Sequence, residues 1–143
     1  MAQRHAGDAM GMVEAMIVAG IGCRKGASAR DIDAVIDAAL AEAGLPVSEL
    51  TMIATAERKR DEPGIAEAAS VRGLRVEIVP QVQLEEADAR ASTSSQRVRA
   101  TAGVGSVAEA AALAAAGPGA ILLIPRIVLG PATCALAVSE LAP

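Results

Sequence analysis

The alternation of apolar and polar positions predicts a chain that switches repeatedly between strand and helix. A mostly apolar run at residues 13–19 is too short for a self-buried helix and predicts a first strand. Beyond it, Ile32, Val35, Ile36 and Leu40 recur at helical spacing and predict a helix over 29–43. Ser28 with Asp31 three residues on supplies a capping box, Gly44 a C-cap, and Pro46 forbids continuation. Residues 51–55 form a short apolar segment, a second strand. A charged turn at 56–64 leads into a helix over 65–71 that stops at Gly73. Strict alternation at 75–79, closed by Pro80, predicts a half-buried third strand. Residues 84–91 suggest a short polar helix, and the serine-rich 91–102 a loop leading into a short basic helix.

The last third repeats the opening device. Gly103 and Gly105 precede Ser106, Glu109 stands three residues on, and an alanine-dominated helix runs to residue 116. Residues 120–124 are the most apolar strand and are expected at the centre of the sheet. Residues 127–129 and 132–138, joined by Gly130-Pro131, read as a C-terminal hairpin. The sum is an α/β fold: a single three-layer domain over residues 12–140, with a mixed, mostly parallel sheet flanked by helices. It carries a C-terminal antiparallel strand pair, and residues 1–11 are expected to be a flexible N-terminal segment.

Composition narrows the function. The 143 residues contain no Phe, Tyr or Trp, which removes the stacking platforms that single-stranded nucleic acids need. A net charge of −4 argues against a general polyanion surface, so no nucleic-acid partner is expected. Residues 10–23 are apolar but hold Glu14 and end in Arg24-Lys25, and residues 107–124 are broken by Glu109 and Gly117-Pro118-Gly119. Neither predicts a membrane span. Cys23 and Cys134 lack metal-ligand spacing and are read as reduced thiols of a cytoplasmic protein. Cys23 lies beside Arg24 near a helix start, a setting that lowers a thiol pKa. A catalytic thiol calls for a histidine partner, however, and His5 is the only histidine. No metal and no cofactor are expected.

The chemistry gathers in loops. Gly20, Gly22 and Gly26 surround Cys23, Arg24 and Lys25 between the first strand and the first helix. Close backbone approach, amide donors and the positive helix end suit a carboxylate or phosphate there. Lys25 precedes Gly26 rather than following it, so the loop is not a Walker motif; it also occupies a position where a dinucleotide fingerprint needs glycine. Of thirteen basic residues, seven (Arg24, Lys25, Arg58, Lys59, Arg60, Arg97 and Arg99) fall in three loop regions. If those loops converge, a small ligand with several carboxylates fits them. Taken singly, each also reads as a solvated turn.

Three segments, in order, carry a family resemblance: Gly20-Ile21-Gly22-Cys23-Arg24-Lys25-Gly26, Lys59-Arg60-Asp61-Glu62-Pro63-Gly64, and Gly103-Val104-Gly105-Ser106-Val107-Ala108-Glu109-Ala110-Ala111-Ala112-Leu113. They resemble the motifs of the CobE/CbiG C-terminal family of cobalamin biosynthesis. The resemblance implies work on a precorrin or cobalt-precorrin intermediate, a macrocycle rich in acetate and propionate groups. In the CbiG branch it implies opening of a ring-fused lactone with release of acetaldehyde, a cobalt-precorrin-5A hydrolase activity. The chain has no counterpart of the N-terminal region of long CbiG proteins and is more similar to the short, stand-alone CobE form of the aerobic pathway. On this reading Gly20, Gly22, Cys23, Arg24, Lys25, Gly26, Lys59, Arg60, Gly103, Gly105, Ser106 and Glu109 contact substrate. Glu57, Asp61 or Glu62 is the general base if there is hydrolysis. The alternative is a non-catalytic carrier that docks on other cobalamin-pathway enzymes and hands intermediates between them.

Overall fold

The computed structural model describes residues 15–95 and 106–139. Five strands form one sheet in the order β3-β2-β1-β5-β4: β1 Ile17–Cys23, β2 Met52–Ala56, β3 Val76–Val79, β4 Ile121–Leu129 and β5 Ala132–Val138. β1 pairs in parallel with β2, and β2 with β3, while β5 is antiparallel to both β1 and β4. Only β5 therefore runs against the other four. The C-terminal ends of β1, β2, β3 and β4 share one edge of the sheet, and the β4–β5 turn lies there too.

Four helices complete three layers: α1 Ala29–Ala43, α2 Pro63–Arg72, α3 Gln81–Ser95 and α4 Val107–Ala116. Side chains alternate along β1. Ile17, Ala19 and Ile21 pack with Ile32, Val35, Ile36 and Leu40 of α1 and with Ile65 and Ala68 of α2. Val18 faces the other way, into a second cluster with Leu84 and Ala87 of α3 and Ala110–Ala112 of α4. α1 is capped as its sequence predicts. The Ser28 hydroxyl accepts the Asp31 amide at 3.1 Å, Asp31 accepts the Ser28 amide at 3.0 Å, and Gly44 ends the helix at φ 73°. Arg72 of α2 ties the two helices on this face together, donating to Asp33 at 3.0 Å and to Asp37 at 2.8 Å.

Several boundaries move for physical reasons. β1 begins at Ile17, four residues later than expected, and runs through Gly20 and Gly22. Gly20 permits a close crossing: a methyl group there would collide with the Ala108 carbonyl oxygen and lie 2.7 Å from the Ala112 amide nitrogen. α4 thus rests directly on the central strand. Helix α2 starts at Pro63, whose missing N–H costs nothing in the first turn. α3 extends through Ser92–Ser95 rather than giving way to a loop at 91; its start is set by Glu57, whose carboxylate accepts the Gln81 amide at 3.2 Å. The expected basic helix with Arg97 and Arg99 lies outside the described residues, as do the 1–11 segment and His5.

The expectation of a central strand at 120–124 is corrected. β4 is an edge strand, the one beyond β5, and Ile121 and Val128 are 61% and 63% exposed. β5 takes the place beside β1, so its hairpin partner must lie outside it. β4 also continues past Pro125 to Leu129, through register shifts between Leu122, Ile124 and Ile127. An edge strand tolerates a proline because one side needs no ladder donor.

Candidate functional site

Two cavities open at the shared edge. The first, about 250 Å³, is lined by Gly22 and Cys23 at the end of β1 and Arg24 just beyond it, Arg58 and Lys59 after β2, and Val107 at the start of α4. Its remaining wall is the β4–β5 hairpin: Val128, Gly130, Pro131 and Thr133. The second, about 430 Å³, is lined by Lys25, Gly26, Arg58, Lys59, Asp61, Glu62 and Pro63. Arg58 and Lys59 line both. Turns far apart in sequence do meet here, as the parallel order of β1 and β2 requires.

The hairpin wall was not expected from sequence. Its signal is Gly130-Pro131 at the end of a strand that pairs next to β1. The Arg24 amide donates to the Pro131 carbonyl at 2.8 Å, and the Thr133 hydroxyl to the Gly22 carbonyl at 3.2 Å, so hairpin and glycine loop hold each other. A Cβ at Gly22 would lie 2.8 Å from Thr133 Oγ1, which keeps this wall thin. Arg58, rather than Arg60, stands beside Lys59. The turn Glu57–Lys59 is a 3₁₀ turn, and its three-residue period puts Glu57 and Arg60 on the same side. Glu57 is there committed to the Gln81 amide, and neither residue lines either of these two cavities.

Other expected site residues have structural duties. Gly20 is covered by α4 and presents no backbone to either cavity. Ser106 is buried and its hydroxyl accepts the Glu109 amide at 3.2 Å. Glu109, also buried, accepts the Arg126 amide at 2.9 Å, which serves the irregular stretch of β4. Gly103 and Gly105 lie outside the described residues.

The start of α1 is less open to an anion than its sequence suggests. The Ser28 amide goes to Asp31, and the Gly26 amide, at φ 84°, donates to Glu62 Oε1 at 3.0 Å. Glu62 Oε2 lies 3.9 Å from Lys59 Nζ. The two loops are brought this close by Gly64, where any side chain would strike the Ala27 carbonyl oxygen. Arg24, Lys25 and Arg58, in contrast, have no ion-pair partner among the described residues. Asp61 is likewise without one and lines the second cavity.

Burial pushes the Cys23 thiol up. Lys59 pulls in the opposite direction, and Glu62 adds to the rise. The thiol keeps its proton at neutral pH, contrary to the lowering that Arg24 and the helix start suggest. Among the described residues no group of three or more His, Cys, Asp or Glu side chains is arranged to hold a metal, and no helix is long and apolar enough to cross a membrane.

Fold and geometry together define a class: a three-layer α/β domain with a cation-lined cleft at the C-terminal edge of a mixed sheet. The chain belongs to the CobE/CbiG C-terminal family of cobalamin biosynthesis proteins, since the family model described as cobalamin synthesis G C-terminus matches residues 17–137. It is 35% identical over 121 residues to Protein CobE from a Sinorhizobium species, covering 85% of this chain and 79% of that protein. A shorter match, 38% identical over 58 residues, joins 41% of this chain to 16% of a cobalt-precorrin-5A hydrolase from Priestia megaterium. Among solved structures, the cobalamin biosynthesis protein chiG from Agrobacterium tumefaciens superposes with a TM-score of 0.73 at 47% identity, over 87% of this chain and 99% of that one. CobE from the cobalamin pathway superposes at 0.78 and 32% identity, over 92% and 96%.

Proposed function

We propose that this domain binds an acidic precorrin or cobalt-precorrin intermediate at the cation-lined edge and passes it on within cobalamin biosynthesis. One observation carries the reading: Arg24, Arg58 and Lys59, from two turns distant in sequence, line one cavity of about 250 Å³. Of these, Arg24 and Arg58 have no ion-pair partner among the described residues, and gathering such cations beside a third is costly unless an anion visits them. Each cavity is too small for a four-ring macrocycle. The ligand lies across the edge and inserts its acetate and propionate arms, with Arg24 and Arg58 gripping carboxylates and Lys59 shared between the two cavities. Gly22 lets an arm approach the backbone.

The carrier reading is favoured over lactone hydrolysis by the state of the candidate bases. Glu57 and Glu62 are engaged by backbone amides, and Cys23 is held protonated. Asp61 is the candidate base that remains for activating water at a lactone carbonyl. Spectral titration at low salt, with precorrin intermediates and with the eight-carboxylate porphyrin uroporphyrin I as probe, tests the binding. A saturable shift is expected, weakened about tenfold in Arg58→Ala or Lys59→Ala, consistent with loss of a charge-assisted contact of ~1.5 kcal/mol. No shift with any of these ligands overturns the proposal. Acetaldehyde release by the isolated protein, lost in Asp61→Asn, replaces the carrier reading with the hydrolytic one.

A further inference from the structure

Glu62 sits where a carboxylate ordinarily serves its own helix, at the N-cap of α2, yet its side chain makes no hydrogen bond to that helix. It turns away instead. One oxygen takes the Gly26 amide at 3.0 Å and the other faces Lys59 Nζ at 3.9 Å. Its side chain is only 12% exposed and that of Lys59 20%, so the pair is largely shielded from water at the wall of the second cavity. The two donors it engages, a loop amide in a left-handed glycine and a cavity lysine, are those an incoming carboxylate would use.

We infer that Glu62 is a resident stand-in for a ligand carboxylate, holding Lys59 and Gly26 in place while the cavity is empty and yielding them to a carboxylate of the incoming macrocycle. This rests on the binding role proposed above and adds a selectivity to it. The exchange swaps one carboxylate for another with no proton transferred. The displaced side chain has a destination, the amide end of α2 directly beside it. A carboxamide in the same position carries no charge to compete for Lys59, so the second cavity selects free acids over amides. Glu62 also keeps Lys59 neutralised next to Arg58 when no ligand is present.

Titration of uroporphyrin I into the wild-type protein, Glu62→Gln and Lys59→Met, at low and at physiological salt, tests the exchange. Gln retains an oxygen for the Gly26 amide but removes the charge. Binding should tighten about fivefold at low salt, with a steeper salt dependence, and the gain should vanish when Lys59→Met is present in the same chain. Glu62→Asp, too short to span both donors, should tighten binding in the same direction and guards against misfolding of the Gln variant, with circular dichroism as the check on each. Wild-type binding that is unchanged or weakened by Glu62→Gln and Glu62→Asp overturns the stand-in role while leaving the binding site intact. Absence of binding in every variant overturns the site and the stand-in together.

Discussion

Helices α1 and α4 each begin at a serine whose hydroxyl accepts the amide three residues on, Ser28 to Asp31 and Ser106 to Glu109. The surroundings differ. Ser28 is exposed at the rim of the cation-lined edge, and its neighbours Asp31 and Glu62 fill the amides there with the protein's own carboxylates. Ser106 is 5% exposed, and α4 lies so close to β1 that only glycine fits at position 20. The same device therefore builds an exposed, carboxylate-filled surface in one place and a close-packed interior in the other. On the binding role proposed above, the exposed start is the one that solvent and unpaired cations can reach; the buried one serves packing alone.

The largest effect should come from the close-packed side. Gly20→Val forces the valine side chain into the Ala108 carbonyl and lifts α4 from the sheet, a loss of roughly 3 kcal/mol in urea denaturation. A loss under about 1 kcal/mol would mean that the α4 approach is dispensable.

Alkaline pH probes the interior next. Burial pushes the Cys134 thiol up to about 12, from an ordinary value of 9.0. The folded protein holds this proton to higher pH than the unfolded chain does. The contribution is thus complete below about pH 9 and is lost as pH rises toward 12. By about pH 10.5 wild type should lose ~2 kcal/mol more than Cys134→Ala, measured as the difference between their stability profiles. Equal profiles would mean that water reaches β5.

The smallest effect separates the two serines directly. Ser106→Ala leaves a buried amide without its acceptor and should cost about 1.5 kcal/mol, against roughly 0.5 kcal/mol for Ser28→Ala, where water substitutes. Equal costs by thermal denaturation would erase the distinction between the two starts.

Features set by neighbours in sequence were legible. The α1 cap needs only Ser28, Asp31 and the apolar spacing of Ile32 to Leu40, and its observed bounds Ala29–Ala43 match the expected ones. The hairpin at Gly130-Pro131 was equally local. The serines of α3 misled because no glycine or proline stands among them to end the helix, and their polarity alone does not. Within the site, Arg24 and Lys59 were named from their loops, whereas Arg58 displaces Arg60 because the turn has a three-residue period. The hairpin wall was missed because nothing near Val128 or Thr133 in sequence points to Gly22.

The sequence by itself determined the alternation of strands and helices through β3, the serine caps, the absence of aromatic platforms and the grouping of cations after β1 and β2. All of these follow from short-range propensity and composition. Tertiary structure alone decided that β4 lies at the edge rather than the centre, that Gly20 serves a helix crossing, and that Glu62 reaches back to Gly26. Those outcomes depend on which strands pair and how closely layers approach. Such distances are set by packing across the whole chain, and no local pattern of residues encodes them.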